Sequence, residues 1–245
     1  MSRDGGRHIL ATSGGLRRDA RGGVVAAPLL DHALSLSGAT RPRLCLVGTA
    51  TGDDPWWTAM LHGAFAGRDD VVLSHLSLFL MPNVDDIAGH LLSQDVIWVG
   101  GGSVANLLAL WRLHGVDEAM RAAWEAGVVL TGVSAGSICW HVGGTTDSFG
   151  PDLRPVTNGL GLLPYGNGVH YDSEEQRRPL LHRLVADGTL PTSYATDDGA
   201  GLHYVGTGLH EALAEKKGAG AYVVRRAPDG TAVETPLPVR LLRPA

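Results

Sequence analysis

Cysteine is scarce in this chain of 245 residues. The two cysteines, Cys45 and Cys139, both lie within apolar runs, where a buried and inert thiol is the usual state. Such usage argues against a disulfide framework and is typical of a reducing compartment.

Long apolar runs and clusters of basic residues are also missing. No run approaches the ~18 apolar residues that a membrane helix needs, and the apolar stretch near the amino terminus is too short for a signal-peptide core. The net charge is −5 without a dense basic stripe, which argues against nucleic-acid binding. The sequence therefore predicts a cytoplasmic protein with neither nucleic acid nor membrane as a partner.

The first half of the chain alternates short apolar runs with longer amphipathic segments. We expect strands at residues 8–12, 43–48, 71–78, 95–99 and 128–133, and helices at residues 24–36, 54–65, 84–92, 103–114 and 117–126. Continuous apolar strands separated by helices indicate a parallel sheet that is covered on both faces.

Beyond about residue 190 the pattern changes to short alternating runs, with turn signals at Asp198-Gly199 and Asp229-Gly230. These runs predict an antiparallel β extension. The expected fold is therefore α/β, with three layers (α/β/α), a mostly parallel sheet and a β-rich C-terminal edge. We expect one domain spanning residues 1–245.

The strongest chemical signal is Gly132-Val133-Ser134-Ala135-Gly136, which follows an apolar strand and precedes a predicted short helix at residues 137–141. This context is typical of a nucleophile elbow, in which a sharp turn exposes the serine hydroxyl at the end of a strand. Glycines suit such a turn because they lack the Cβ that would clash. An ordinary Gly-Ser-Gly turn is the alternative, and the flanking strand and helix favour catalysis.

A triple glycine, Gly100-Gly101-Gly102, ends the preceding predicted strand. In a parallel sheet that strand can lie beside the elbow strand, so its backbone amides can approach a developing oxyanion. A phosphate-binding turn or a simple helix start is the alternative, although the rest of a dinucleotide or P-loop pattern is missing.

A serine nucleophile needs a general base, and histidine is the usual one near neutral pH. Among eleven histidines, His170 follows a loop-like stretch able to reach over a strand end, and it is the first candidate. His203 is the next candidate. His141 is expected on the same short helix as Ser134, too close to face it usefully.

Taken together, these motifs resemble the peptidase E (aspartyl dipeptidase) family of serine peptidases, to which cyanophycinases are more distantly related. The residues that carry the resemblance are Val99-Gly100-Gly101-Gly102, Asn106-Leu107-Leu108, Gly132-Val133-Ser134-Ala135-Gly136, His170-Tyr171 and Glu175-Gln176-Arg177. The resemblance implies a fold similar to class I glutamine amidotransferases, no metal and no cofactor, and hydrolysis of short peptides from the amino end.

Carried over by position, the resemblance implies Ser134 as nucleophile and His170 as base. It also implies Gly102 and Ala135 as oxyanion donors, with Gly101 beside the substrate. Asp198 is expected to orient His170, and Asp147 to line the site, although the two acids are open to exchange. A hairpin turn is the alternative interpretation of Asp197-Asp198-Gly199.

One position departs from the family. Glu174 stands where peptidase E carries an arginine thought to pair with the substrate's aspartate side chain. A carboxylate there would repel an acidic substrate side chain. The sequence thus predicts a dipeptidase or aminopeptidase that is not strictly specific for aspartate and prefers neutral or basic amino-terminal residues.

Two other functions stay open at this point: an α/β-hydrolase-type esterase, which shares the elbow, and a non-catalytic amidotransferase-like binding protein. A monomer and a homodimer are both compatible with the sequence.

Overall fold

The computed structural model describes residues 6–20 and 22–243. Residues 1–5, which precede the apolar stretch that we expect to be too short for a signal-peptide core, lie outside the described residues. Within the described residues, no helix is long and apolar enough to cross a membrane.

The described chain forms sixteen strands and seven α-helices. The strands are β1 (His8–Thr12), β2 (Leu16–Arg18), β3 (Val24–Ala26), β4 (Arg43–Val47), β5 (Val72–Leu76), β6 (Val96–Val99), β7 (Val129–Val133), β8 (His141–Thr146), β9 (Arg154–Val156), β10 (Leu163–Gly168), β11 (Ser193–Thr196), β12 (Ala200–Val205), β13 (Gly208–Ala214), β14 (Ala221–Arg226), β15 (Ala232–Pro236) and β16 (Val239–Leu241). The helices are α1 (Pro28–Leu36), α2 (Pro55–Ala64), α3 (Ile87–Leu92), α4 (Val104–His114), α5 (Val116–Glu125), α6 (Ala135–Ile138) and α7 (Arg177–Ala186), with one 3₁₀ turn at Thr49–Thr51.

The larger sheet has eight strands in the order β16-β13-β12-β1-β7-β6-β4-β5. Five neighbouring strands of this sheet are parallel, as the sequence predicts: β1, β7, β6, β4 and β5. On the other side of β1, strands β12 and β13 add antiparallel pairs, and β16 completes the edge. This confirms the α/β fold and its β-rich C-terminal edge.

A second sheet of six strands, in the order β15-β14-β11-β10-β8-β9, was not predicted as a separate layer. Its inner strands β8, β10 and β11 are parallel to one another. The predicted helix at residues 137–141 was wrong at both ends, because α6 spans Ala135–Ile138 and His141 begins β8. The Asp229-Gly230 turn joins the antiparallel pair β14 and β15 as expected, whereas Asp198-Gly199 connects β11 of one sheet to β12 of the other and is no hairpin.

The predicted helix at residues 24–36 also needs correction, because its first part forms the short strand β3. Helix α1 begins only at Pro28, a residue that is favourable at the first helical position. Likewise α3 starts at Ile87, where the Asp86 side chain accepts a hydrogen bond from Gly89 N and so caps the helix.

Alternating residues of the central strands face two cores. Leu44 and Leu46 of β4 pack with α1 and α2 on one face. Cys45 and Val47 belong to the core on the other face, which contains α4, α5 and α6 together with residues of the second sheet. Helix α7 covers the outer face of the second sheet. The carboxyl ends of β1, β7 and β6 therefore lie side by side between the two helical layers.

Candidate active site

Ser134 sits at the corner between β7 and α6 with φ 57° and ψ −112°. A non-glycine residue with positive φ is strained by about 1–3 kcal/mol, and such strain concentrates at functional sites. The corner is tight because Gly132 and Gly136 face each other: a Cβ on Gly132 would lie 2.4 Å from the Gly136 carbonyl oxygen, and one on Gly136 would lie 2.1 Å from Val99 O. The glycines of the predicted elbow are thus required sterically.

The triple glycine lies next to Ser134, as the strand order β7-β6 dictates. A Cβ on Gly101 would be 3.2 Å from the Ser134 Cβ. Gly102 has φ 131°, and its Cβ would lie 2.4 Å from Ala50 O. Among the hydrogen bonds of residues 6–20 and 22–243, the amides of Gly102 and Ala135 have no backbone acceptor, so both are available as donors.

His170 follows β10 and also has positive φ, 52°. Its amide donates to Ser13 Oγ at 3.2 Å, and the Ser13 hydroxyl is paired with Thr196 Oγ1 at 2.7 Å. The turn that carries the imidazole is therefore fixed by the loop after β1 and by the end of β11.

Asp198 holds the imidazole of His170. The distance from His170 Nδ1 to Asp198 Oδ1 is 2.6 Å, and the Asp198 amide is in turn bound by Asp172 Oδ1 at 2.8 Å. Burial alone would raise the pKa of Asp198, but hydrogen bonds from His170 and Ser173 outweigh it, and the pKa of this carboxyl is lowered. An ionised Asp198 accepts a hydrogen bond from the Nδ1–H of His170, which leaves Nε2 as the ring nitrogen for proton transfer.

Ser134 and His170 open onto the same cavity of about 350 Å³, which is also lined by Gly14, Leu16, Trp57, Gly101 and Val133. Within the described part of the chain, no hydrogen bond joins Ser134 Oγ to His170. Such bonds are often long in ligand-free enzymes and tighten when substrate is bound. Ser134 and His170, which the sequence predicts as nucleophile and base, thus line one cavity.

Trp57 belongs to helix α2. It lines the cavity and its indole Nε1 is buried with no hydrogen-bond partner among the described residues. Trp56 is 70% exposed and is not among the residues that line this cavity. An indole N–H is a donor only, so Trp57 presents one to any group that enters.

Sequence reasoning missed Glu215, which supports the loop after β1. Its half-buried carboxylate accepts hydrogen bonds from Gly15 N at 2.8 Å and from Leu29 N at 3.0 Å. Ala27, the residue at the N-cap of α1, offers no side-chain cap, so Glu215 supplies one from 186 residues away. A Cβ on Gly14 would lie 2.5 Å from the same carboxylate. Burial raises the pKa of Glu215. The sequence signal at hand was the Ser13-Gly14-Gly15 turn, which marks the loop but not its partner.

Asp147 and Glu174 lie elsewhere. They line a second cavity of about 590 Å³ together with Glu175, and its lining shares no residue with that of the Ser134 cavity. Asp198, and not Asp147, is hydrogen-bonded to His170. The Glu174 carboxylate is paired with the buried Arg177 at 2.7 Å, and Arg177 also donates to Thr145 O, so this charge is partly compensated.

His203, the second candidate base, lies in β12 and contacts other histidines. It is not among the residues that line the Ser134 cavity. His141 is fully buried in β8, where its Nδ1 is bound to Ser137 O at 2.9 Å. Of the three histidines weighed from sequence, His170 is the one in that cavity.

The fold and this corner define an α/β protein of the class I glutamine amidotransferase-like type, with a serine at the end of a central parallel strand. The sequence pattern of peptidase family S51 matches residues 9–212. The chain belongs to peptidase family S51, and it is a peptidase by that membership.

Two relatives agree with this assignment, and a solved structure shares the fold. The uncharacterized peptidase YgaJ of Bacillus subtilis (strain 168) is 43% identical over 211 residues, which cover 86% of this chain and 90% of the relative. Peptidase E of Shewanella denitrificans is 27% identical over 197 residues, which cover 74% of this chain and 80% of the relative. The crystal structure of a peptidase from an acI-B1 Actinobacterium has a TM-score of 0.66 at 14% identity, covering 95% of this chain and 94% of that one, and so shares the fold.

Proposed function

We propose that this chain is a serine peptidase that cleaves short peptides from the amino end through an acyl-enzyme on Ser134. The observation that carries the proposal is a strained corner that presents the Ser134 hydroxyl to a cavity shared with His170, whose other nitrogen is bound to Asp198 at 2.6 Å. Nucleophile, base and orienting acid in this relation are the parts that acyl transfer requires.

The steps follow from the groups present. Ser134 Oγ attacks the scissile carbonyl while its proton passes to His170 Nε2, and the oxygen of the tetrahedral intermediate accepts hydrogen bonds from Gly102 N and Ala135 N. Collapse breaks the C–N bond as His170 returns the proton to the leaving amine. Water then attacks the ester with His170 again as base, and Ser134 is released.

Substrate preference is the finer part of the proposal. Three carboxylates, Asp147, Glu174 and Glu175, line the 590 Å³ cavity, and that of Glu174 is paired with Arg177. This cavity shares no lining residue with the Ser134 cavity, but the Glu174 amide donates to His170 O at 3.1 Å, so the two cavities are joined by the turn that carries His170. An acidic side chain would be repelled there, whereas neutral or basic residues would not. We therefore propose an enzyme without strict aspartyl specificity.

The esterase alternative loses support. In an α/β-hydrolase the catalytic histidine comes late in the chain, after further parallel strand–helix units. Here His170 follows β10 of the second sheet, and the family match is to peptidases.

Fluorophosphonate labelling of Ser134 separates an enzyme from a non-catalytic binding protein.

The test of the nucleophile is Ser134→Ala with a dipeptide library. We expect turnover to fall by several orders of magnitude with the fold unchanged, because only the residual effect of the oxyanion donors remains. Ser137→Ala is the matched control, since Ser137 lies on α6, which begins directly after Ser134, and its hydroxyl is bound to Asn167 Oδ1. Near-normal turnover in Ser134→Ala would falsify the proposal.

The test of specificity compares dipeptides with amino-terminal Asp, Leu and Arg on the wild type and on Glu174→Gln. We expect the wild type to have a higher kcat/KM for the Leu and Arg substrates than for the Asp substrate. In Glu174→Gln the ratio between these kcat/KM values should be smaller. A clear preference of the wild type for Asp refutes the specificity proposal and leaves the Ser134 mechanism standing.

A further inference from the structure

We propose that His32, His203 and Glu211 form a binding site for a divalent transition-metal cation of the Zn²⁺ class. One ligand atom from each of the three lies within 4.8 Å of the others. The site lies on the antiparallel half of the larger sheet, and its test does not depend on peptide hydrolysis.

Strand pairing explains why these residues meet. His203 of β12 is the direct cross-strand partner of Glu211 in β13 and of Leu10 in β1, and partners of this kind project from the same face of a sheet. Leu10 packs under α1 against Leu29 and Ala33. His32 lies between Leu29 and Ala33 on the same helix, so α1 brings its imidazole over His203 and Glu211.

The two imidazole nitrogens are in a state that suits a metal ligand. His32 Nε2 and His203 Nδ1 are buried and have no hydrogen-bond partner among the described residues. His203 is 4% exposed, and its Nδ1 lies 3.7 Å from Glu211 Oε1. A buried nitrogen without a partner carries a desolvation cost, which coordination of a cation would offset.

A second layer of contacts fixes the orientation of His203. Its Nε2 lies 2.9 Å from His8 Nδ1, so an Nε2–H that donates to His8 leaves the Nδ1 lone pair free. Metal-binding histidines commonly use their other ring nitrogen in this way.

A β-bulge adds a fourth imidazole. The register between β12 and β13 shifts between His203 and Tyr204, and His210 is the extra residue on β13. Bulges re-aim side chains, and here the His210 ring lies 5.2 Å from that of His203. Imidazole nitrogens with one carboxylate favour Zn²⁺, Co²⁺ or Ni²⁺ over Mg²⁺ or Ca²⁺.

Arg240 is a built-in competitor for this cation. Its guanidinium binds both oxygens of Glu211, each at 2.8 Å. Removal of that positive charge by Arg240→Gln should free the carboxylate and should not weaken cation binding. Glu211→Gln removes the ligand and the ion pair together, so the two variants separate a metal site from a simple salt bridge.

The experiment uses the full chain without an affinity tag, freed of metal by chelation. Co²⁺ is titrated with detection of its d–d absorption, and Zn²⁺ is titrated against a chromophoric chelator. We expect one cation per chain, an affinity at least ~10-fold lower in His32→Gln and in Glu211→Gln, and an unchanged or higher affinity in Arg240→Gln. His62→Gln is the matched control, because His62 also contacts another imidazole, that of His75, at 3.1 Å.

Three results overturn the proposal: wild-type binding no tighter than that of a His32→Gln/Glu211→Gln double variant, an equal loss in His62→Gln, or a loss in Arg240→Gln as large as that in Glu211→Gln. Circular dichroism of each metal-free variant checks that it folds. His32→Gln is the decisive variant, since its position on a half-buried helix face tolerates the exchange.

Discussion

At the residue scale, the site depends on two side chains in strained backbone positions. Ser134 and His170 both have positive φ, and each is fixed by a bond to the end of β1 or its loop: Ser134 N to Thr12 O at 3.1 Å and His170 N to Ser13 Oγ at 3.2 Å. Strain of this kind persists only where the surroundings determine the geometry. Small changes beside either residue should therefore act on turnover before they act on stability.

Asp198→Asn tests how the imidazole is oriented. We expect kcat to fall by about 10²- to 10⁴-fold. The side-chain amide of the variant carries no charge, so it no longer stabilises the imidazolium that forms during the reaction, and it no longer fixes the proton on Nδ1 of His170. The measurement is steady-state hydrolysis of the best dipeptide. Asp172→Asn is the control, since Asp172 accepts a hydrogen bond from the Asp198 amide and an asparagine Oδ1 can still accept it. An equal loss in both variants would assign the effect to the loop and not to the bond between Asp198 and His170.

Gly101→Ala tests the space beside the nucleophile. The new Cβ would lie 3.2 Å from the Ser134 Cβ and 3.8 Å from its Oγ, so the hydroxyl must shift by a few tenths of an ångström. We expect kcat/KM to fall by about 10- to 100-fold while the melting temperature changes by only a few degrees. Unchanged kinetics would mean that Ser134 has more room than the structure gives it.

At the element scale, the corner between β7 and α6 depends on glycine and α1 depends on a distant carboxylate. The first turn of α6 approaches β6 so closely that a Cβ on Gly136 would overlap Val99 O. The start of α1 is capped by the carboxylate of Glu215, the residue directly after β13. Both features couple a helix terminus to a neighbouring strand, and each has a matched substitution.

Gly136→Ala should abolish folding or lower the free energy of unfolding by more than about 3 kcal/mol, because backbone must move to admit the methyl group. Gly63→Ala on α2 is the control. A Cβ there meets nothing within 4 Å, and alanine is the better helix former by roughly 0.5–1 kcal/mol. Urea unfolding measures both, and a stable Gly136→Ala would contradict the packing of the elbow.

Glu215→Ala removes the acceptor for two backbone amides. We expect the free energy of unfolding to fall by about 2 kcal/mol, since a helix cap and a second, half-buried hydrogen bond are lost together. We also expect kcat to fall, because the loop that carries Ser13 is no longer held by Glu215. Glu125→Ala, an exposed position at the end of α5, should be nearly neutral. Thermal unfolding with activity assays distinguishes the two outcomes, and equal effects of both substitutions would count against the role of Glu215.

At the scale of the whole molecule, two sheets enclose ionisable groups that the chain keeps neutral. His141 is fully buried between them, and burial lowers its pKa to about 4 even though the bond to Ser137 O acts in the opposite direction. In the unfolded chain the same group titrates near ~6.5. Between these values only the unfolded state binds the proton, so stability is lost as the pH falls.

His141→Gln tests this linkage. From pH 7 to pH 4 the wild type should lose about 3 kcal/mol more stability than the variant, because each pKa unit corresponds to ~1.36 kcal/mol. Urea unfolding at a series of pH values gives the slopes. Parallel slopes for the two proteins would show that His141 does not titrate on unfolding.

The sequence by itself determined the parallel half of the larger sheet and the position of the elbow. Continuous apolar strands separated by amphipathic helices admit few other arrangements, and Gly132 and Gly136 around Ser134 mark a turn that few other residues tolerate. The sequence also ranked His170 first among the candidate bases, and the role of His170 in catalysis stays a prediction.

The tertiary structure decided what depends on contacts between segments far apart in the chain. Whether Asp198 or Asp147 meets His170 follows from a link between the two sheets that local periodicity does not encode. The bond from Glu215 to α1 spans 186 residues, and the group of His32, His203 and Glu211 forms only when a helix and two strands pack. Periodicity reports which face of an element is buried, but not which partner it meets there.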